Sequence, residues 1–184
     1  EPERHTVMNV IGGLEDYDLA HISNADLKWF VNQAWRARRN HPWCRDTPLS
    51  LFEKYTANPR TYEEPLEGAP LRFLSRPLPP VKYCRTTADA CNALWTWLSR
   101  SVHFRDDPFT PEATPRERLN QYGWCVQGVT MYNYFGRCVG LPMRPAYTIW
   151  PTVKAGPVHS VHWWSEVWSV EENRWHAVDS SDYE

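Results

Sequence analysis

The chain has 184 residues, of which 42% are apolar and 14% aromatic, enough to build one sizeable hydrophobic core. Twenty lysine and arginine residues stand against 22 aspartate and glutamate residues, which gives a formal net charge of −2. A nucleic-acid partner held by a broad basic patch is therefore disfavoured. No apolar run approaches the roughly 20 residues that cross a bilayer, so the sequence predicts no membrane span.

The first part of the chain predicts an amphipathic helix followed by a proline-rich segment. Apolar residues at helical spacing predict a helix over residues 23–40, with Ser23 or Asn24 as its N-cap. Six prolines then fall within residues 58–80, where missing amide donors and fixed φ angles favour an ordered loop or a linker.

This segment is the predicted boundary between two parts of the chain. Residues 1–80 are expected to form a helical and proline-rich extension, and residues 81–184 the main domain. The chain ends five residues beyond Asp179, which is compatible with a domain excised from a longer protein.

Two more helices are expected before the middle of the main domain. Thr86 and Asp89 match a capping box at the start of a second amphipathic helix, which carries Cys91 on its apolar stripe. Cys91 is interpreted as a small buried hydrophobe. Thr114 and the proline after it begin a short helix that ends near Gly123.

The segment from Cys125 to Cys138 predicts a central helix. Its apolar and aromatic residues cover most of the helix circumference, which indicates burial on all sides. Gly128 and Gly136 would allow close backbone approach, and Gly140 begins a strong helix stop.

Strands follow this helix. Candidates lie over residues 144–150, 158–169 and 174–180, and a turn at 171–173 makes the last two a hairpin. Helices followed by antiparallel strands predict an α+β fold, with the cysteine-bearing helix packed on the sheet.

Five cysteines raise the question of a reactive thiol, because an odd number leaves at least one unpaired. Cys125 stands where a loop enters a helix, and the positive end of the helix dipole favours the nucleophilic thiolate. The remaining even set is compatible with two disulfides in an exported protein, or equally with free thiols: Cys44, Cys84, Cys91 and Cys138.

A histidine and a carboxylate complete a candidate catalytic site. Side chains alternate along a strand, so His162 shares a face with Trp164 and Glu166. An even-numbered hairpin loop without a bulge would place Asp179 on that same face. Cys125, His162 and Asp179 then form a candidate nucleophile, general acid/base and orienting carboxylate.

Two other histidines and a metal site are weaker alternatives. His159 and His176 point to the opposite strand face from His162 and Asp179. The chain has no Cys-x-x-Cys pair and no His-Glu-x-x-His motif, so neither a metal nor another cofactor is implied.

Three motifs in this order resemble the transglutaminase-like superfamily. Gly123-Trp124-Cys125 with the segment Arg137–Arg144 is similar to its nucleophile helix. His162-Trp163-Trp164-Ser165-Glu166-Val167 is similar to its histidine strand, and Trp175–Asp179 to its last segment.

The resemblance implies a papain-like core and thiol-dependent acyl transfer. Cys125 would attack an amide carbonyl, and His162, oriented by Asp179, would protonate the leaving amine. Glu166 and Trp164 are assigned structural roles beside the site. Gln121 and Trp124 are candidates for the oxyanion or the cleft.

The leading hypothesis is a cysteine peptidase or amidase rather than a cross-linking transglutaminase, acting on peptide or protein, with peptidoglycan or a glycoconjugate as further substrate classes. The rival is a non-catalytic binding or structural module of a cell-surface protein that holds glycan or peptide on tryptophan-rich surface. A secreted, periplasmic or surface location is expected on the cysteine usage alone.

The chain has 11 tryptophans, which suggest either core packing or an aromatic platform. Several are expected in the core, and three of them, on one sheet face, are expected to pack on the cysteine helix: Trp164, Trp168 and Trp175. Trp124, with Trp43, Trp97 or Trp150, is a candidate for lining the approach to Cys125.

Overall fold

The computed structural model describes residues 2–61, 80–100, 125–151 and 159–179. Helices come first in chain order, and strands follow the last helix. The elements are α1 (Pro2–Gly12), α2 (Asp16–His21), α3 (Asn24–Asn40), α4 (Pro42–Arg45), α5 (Leu49–Tyr55), α6 (Thr87–Ser99), α7 (Cys125–Cys138), β1 (Met143–Pro151), β2 (His159–Ser169) and β3 (Arg174–Val178).

The two predicted amphipathic helices begin at their predicted caps. The Ser23 hydroxyl accepts a hydrogen bond from the Asp26 amide at the start of α3. At α6, the Thr86 hydroxyl accepts from the Asp89 amide while the Asp89 carboxylate accepts from the Thr86 amide. These side chains satisfy amide donors that have no partner within the helix, which fixes where each helix starts.

A residue of the hairpin turn adds to the cap of α6. Glu171 accepts hydrogen bonds from the Thr87 amide at 2.9 Å and from the Thr87 hydroxyl at 2.7 Å. Burial opposes the charge on Glu171, but these bonds and one from Ser169 outweigh it and lower the pKa of Glu171. The turn is thereby tied to the N-terminus of α6.

The helix α7 has the predicted bounds and the predicted central position. From Gly128 onward its residues are all buried. It ends where Gly140 adopts a φ of 87°, a conformation that glycine reaches without strain, and the Leu141 amide bonds back to the Gly136 carbonyl.

The three strands form an antiparallel sheet in the order β1-β2-β3. The turn between β2 and β3 has an even number of residues, and Asn173 in it takes the left-handed conformation, with φ 53°. Ser165 therefore pairs with Val178, and the even positions of β2 share a face with the odd positions of β3. The predicted α+β class is confirmed.

One expectation about the sheet is wrong. The face that packs on α7 carries the buried Ser165, Val167 and Met143. Trp164, Trp168 and Trp175 lie on the other face, which is also the face of His162. The reason is steric: the helix approaches the sheet closely at Gly136, where a Cβ would overlap Met143 Sδ, and such a contact admits small and aliphatic side chains rather than indoles.

The tryptophan face is covered in part by the N-terminal helices. Tyr55 of α5 meets Trp175 edge to face, with ring centroids 5.1 Å apart. On the other side of α7, Phe30 of α3 packs on Tyr134. The N-terminal helices thus share one continuous core with α7 and the sheet, and the division of the chain at residue 80 stays a prediction.

Several expectations fall outside the described residues, namely most of the proline-rich segment and the short helix over 114–123. Within the described ranges, none of the helices has the length and apolar character needed to cross a membrane.

Replacing Gly136 by alanine should destabilise the fold. The added methyl group would overlap Met143 Sδ in a closely packed contact, so we expect the free energy of unfolding to fall by about 1–3 kcal/mol in denaturant titrations. Gly12→Ala is the matched control, because nothing lies within 4 Å of its added Cβ. Equal stability of the two variants would contradict this account.

Glu171→Gln should give a pH-dependent loss of stability. The native pKa of Glu171 is lowered from 4.5, so its contribution is present above pH 4.5 and disappears as the pH falls through the lowered native value. At pH 7 we expect a loss of about 0.5–1 kcal/mol, because the group is partly exposed. Glu172→Gln, on the same turn but paired with the exposed Arg174, should change the unfolding free energy less.

Candidate active site

Cys125 is the first residue of α7, so its backbone stands at the positive end of a 14-residue helix. Its side chain lies outside the described part of the structure. Two contacts show how α7 runs beside the sheet: Asn133 bonds to Ser165, and Gly136 lies against Met143, which pairs with Val167. Chain position therefore increases in the same direction along α7 and β2.

This geometry brings the predicted histidine level with the start of the helix. His162 precedes Ser165 by about 10 Å of extended strand, at roughly 3.3 Å per residue. About 10 Å corresponds to some six or seven residues of α-helix. Counting back from Asn133, the histidine backbone comes level with the first turn of α7, where Cys125 lies.

The structure joins His162 to the predicted carboxylate. His162 Nε2 and Asp179 Oδ2 are 2.6 Å apart, the length of a strong charge-assisted hydrogen bond. Their side chains keep 29% and 33% of their accessible surface, so solvent reaches the pair. Asp179 directly follows β3, and the even hairpin turn is what places it beside His162.

The bond selects one protonation form of the ring. An ionised carboxylate can only accept, so Nε2 carries the proton and Nδ1 carries the lone pair of the neutral imidazole. Trp164 lies beside the ring, with centroids 6.2 Å apart and planes inclined by 29°. The pair is thus oriented with Nδ1 as the basic atom.

The carboxylate of Glu166, on the same strand as His162, pairs with an arginine rather than with the histidine. Glu166 forms an ion pair with Arg144, directly opposite on β1, at 2.6 Å. Arg144 also lies over the Trp175 ring at 4.1 Å. Burial disfavours its charge, but hydrogen bonds to Glu166 and Tyr55 outweigh this and raise the pKa of Arg144. Glu166 therefore ties β1 to β2 and to the N-terminal helices.

The other sequence candidates lie elsewhere. His176 approaches Glu172, at 3.3 Å, on the opposite sheet face from His162. Trp43 is fully buried and donates a hydrogen bond to the Val139 carbonyl. Val139 follows the C-terminal end of α7, whereas Cys125 begins the helix. Trp97 packs on Phe135 in the second half of α7. The expectation that Trp43 or Trp97 lines the approach to Cys125 is wrong, since both pack near the other end of the helix.

Four further candidates cannot be placed. Gln121 and Trp124, and the side chains of Trp150 and His159, lie outside the described residues. The oxyanion side chain therefore stays a prediction.

The four cysteines besides Cys125 are free thiols rather than two disulfides. Burial raises the pKa of Cys44 and of Cys91 to about 12, and it raises that of Cys138 well above its ordinary value; burial also raises the pKa of Cys84, which is partly exposed. A protonated buried thiol is a poor nucleophile. Of the two alternatives left open by the sequence, the structure has the free thiols, and the cysteine argument for export lapses.

Sequence reasoning missed three buried polar residues near the helix: Asn133, Arg137 and Ser165, each at most 2% exposed. The available signal was a polar residue at a position where the helix or strand pattern calls for an apolar one. Across the described ranges, no group of three or more His, Cys, Asp or Glu side chains could hold a metal ion.

The fold and the site together define an α+β protein in which a helix that begins with cysteine packs on an antiparallel sheet bearing a histidine–aspartate pair. The family model of the transglutaminase-like superfamily matches residues 79–180, more than half of the chain. The chain belongs to this superfamily, which includes cysteine enzymes. No curated protein and no solved structure gives a significant match.

The tautomer of His162 can be observed directly. In the neutral state we expect the proton on Nε2, held by Asp179, in long-range proton–nitrogen NMR spectra. Asp179→Ala should populate both tautomers while the signals of His176 stay in place. A wild-type spectrum with the proton on Nδ1 would contradict the orientation described here.

Proposed function

We propose that the protein is a cysteine-dependent hydrolase or acyltransferase that acts on amide bonds, with Cys125 as nucleophile, His162 as general acid/base and Asp179 as the orienting carboxylate. The observation that carries the proposal is the 2.6 Å bond between His162 Nε2 and Asp179 Oδ2, formed level with the first turn of the helix that Cys125 begins. The nucleophile, the general acid/base and the carboxylate follow one another along the chain in the order Cys, His, Asp, which resembles that of papain-like cysteine enzymes.

The first half of the reaction forms a thioester. His162 Nδ1 takes the proton of the Cys125 thiol, and the thiolate attacks the carbonyl carbon of the amide. The first amide groups of α7 offer hydrogen bonds to the oxyanion. The tetrahedral intermediate collapses with cleavage of the C–N bond, and the imidazolium gives its proton to the departing amine.

The second half resolves the thioester. Nδ1 takes a proton from water, and the resulting hydroxide attacks the acyl carbon. The C–S bond breaks to yield a carboxylic acid, and the departing Cys125 thiolate takes the proton back from Nδ1. The solvent exposure of the pair, 29% and 33%, supports water as the acceptor. A peptidase or amidase reaction is therefore favoured over cross-linking, which requires that water be kept out.

A cavity of about 270 Å³ beside Asp179 supports a peptide or protein substrate. It lies between α6, α7 and the edge strand β3, and apolar and polar residues share its lining. It is large enough for a single side chain, and Asp179 is the member of the candidate catalytic pair that lines it. Its lining includes the apolar or aromatic residues Cys91, Trp95 and Val167 and the polar residues Glu172, His176 and Asp179.

Alkylation of Cys125 tests the proposal. In a Cys84→Ser background, the described cysteines that remain are buried thiols of raised pKa. One equivalent of iodoacetamide at pH 7 should therefore label Cys125, as read by peptide mass spectrometry. The rate constant should reach its plateau below pH 8 if the Cys125 thiol is activated. An ordinary thiol ionises at about 8.5, so its rate constant would still be rising at that pH.

Two variants test whether His162 and Asp179 activate Cys125. His162→Ala and Asp179→Ala should lower the second-order rate constant of Cys125 alkylation at pH 7 by about tenfold or more. Labelling should abolish hydrolysis of a panel of peptidyl coumarin amides in parallel. A Cys125 that reacts no faster than a free thiol, with an ordinary pH profile, would sink the enzymatic proposal and favour a binding module.

A further inference from the structure

A buried hydrogen bond connects the nucleophile helix to the histidine strand. Asn133 Nδ2 of α7 donates to Ser165 Oγ of β2 at 3.2 Å and to the Val129 carbonyl at 2.8 Å. Both Asn133 and Ser165 have no accessible surface. The pair sits in an otherwise apolar interface among buried aliphatic and aromatic neighbours on each element: Val129, Met131, Tyr132, Phe135, Val167 and Met143.

The pair is energetically poor as a stabilising device. Asn133 Oδ1 is buried and has no hydrogen-bond partner among the described residues. An unsatisfied buried amide oxygen loses its hydration without compensation. Apolar side chains of similar volume at the two positions would avoid that cost, so contact stability does not account for an asparagine at this site.

A directional bond does what apolar packing cannot. Apolar contacts are non-directional, so a helix can shift along a sheet by a fraction of a turn with little change in buried area. A hydrogen bond between one helix position and one strand position fixes the axial offset in the middle of α7, as the bonds from Arg137 to the Met143 carbonyl do at its C-terminal end. Here that offset sets the distance between the start of α7, at Cys125, and His162.

We propose that Asn133 and Ser165 are positioning residues that hold α7 in register with β2, so that the start of α7, at Cys125, stays level with His162. The inference rests on the proposed function and adds residues to it that never touch substrate. A displacement of about 1 Å between reacting groups can lower a rate by about a hundredfold, so a small register error is sufficient to matter.

Asn133→Leu is the principal test. The variant removes the unsatisfied oxygen but also leaves the Ser165 hydroxyl without this donor, so the two effects offset and the midpoint of thermal unfolding should stay close to that of the wild type. The rate constant of Cys125 alkylation at pH 7 should nevertheless fall by about tenfold or more, and its pH profile should move toward that of an ordinary thiol. A structural role alone would lower the unfolding midpoint and leave the pH profile unchanged.

Ser165→Ala provides an independent route to the same lost bond with a smaller change in volume. If Asn133→Leu fails to fold, Ser165→Ala carries the test. The double variant should lose no more reactivity than the stronger single variant, because both act through one interaction. Thr47→Val is the matched control: it removes a buried hydrogen bond to the Trp43 carbonyl, so it should lower stability and leave the alkylation profile intact.

The outcomes distinguish the two proposals. If wild-type Cys125 is hyper-reactive and the folded Asn133→Leu and Ser165→Ala variants keep that reactivity and pH profile, the positioning role is overturned and the proposed function stands. If wild-type Cys125 reacts as a free thiol, the proposed function fails, and the positioning role, which rests on it, fails with it. Loss of reactivity in both variants without loss of stability supports the positioning role.

Discussion

The buried guanidinium of Arg137 is the constraint on which the rest of the structure depends. Only 2% exposed, it donates to the carbonyl oxygen of Met143 through Nε and Nη2, and to the carbonyls of Asn58 and Arg60 through Nη1. One side chain thereby joins the end of the central helix, the start of the sheet and the described beginning of the proline-rich segment. Arg60 in turn pairs with the buried Asp18 of α2, so the connection extends into the first helices.

With its C-terminal end fixed in this way, α7 has a defined direction across the sheet. The helix packs closely at Gly136, and Asn133 bonds to Ser165 one turn earlier. The N-terminal end of α7 then comes level with His162 along the sheet. The hydrogen bonds of Arg137 and the candidate site lie at opposite ends of α7. The N-terminal helices therefore contribute to the geometry of the site although they carry none of the proposed catalytic groups.

The local features were predictable because they follow from local physics. The caps at Ser23 and Thr86 and the bounds of α7 come from hydrogen-bonding side chains and from stop signals adjacent in sequence. The relation of His162 to Asp179 followed from strand alternation and the length of one turn. Which sheet face meets the helix did not follow, because alternation defines two faces without saying which one is covered, and the close approach at Gly136 decided it.

The sequence by itself determined the class of fold, the order of elements, the superfamily and the candidate trio of Cys125, His162 and Asp179, since periodicity, capping and spacing are properties of neighbouring residues. Only the tertiary structure decided the offset of α7 along β2, the burial of Asn133 and Ser165, and the packing of the tryptophans against the N-terminal helices. These depend on contacts between residues far apart in the chain, for which a single sequence carries no distance information.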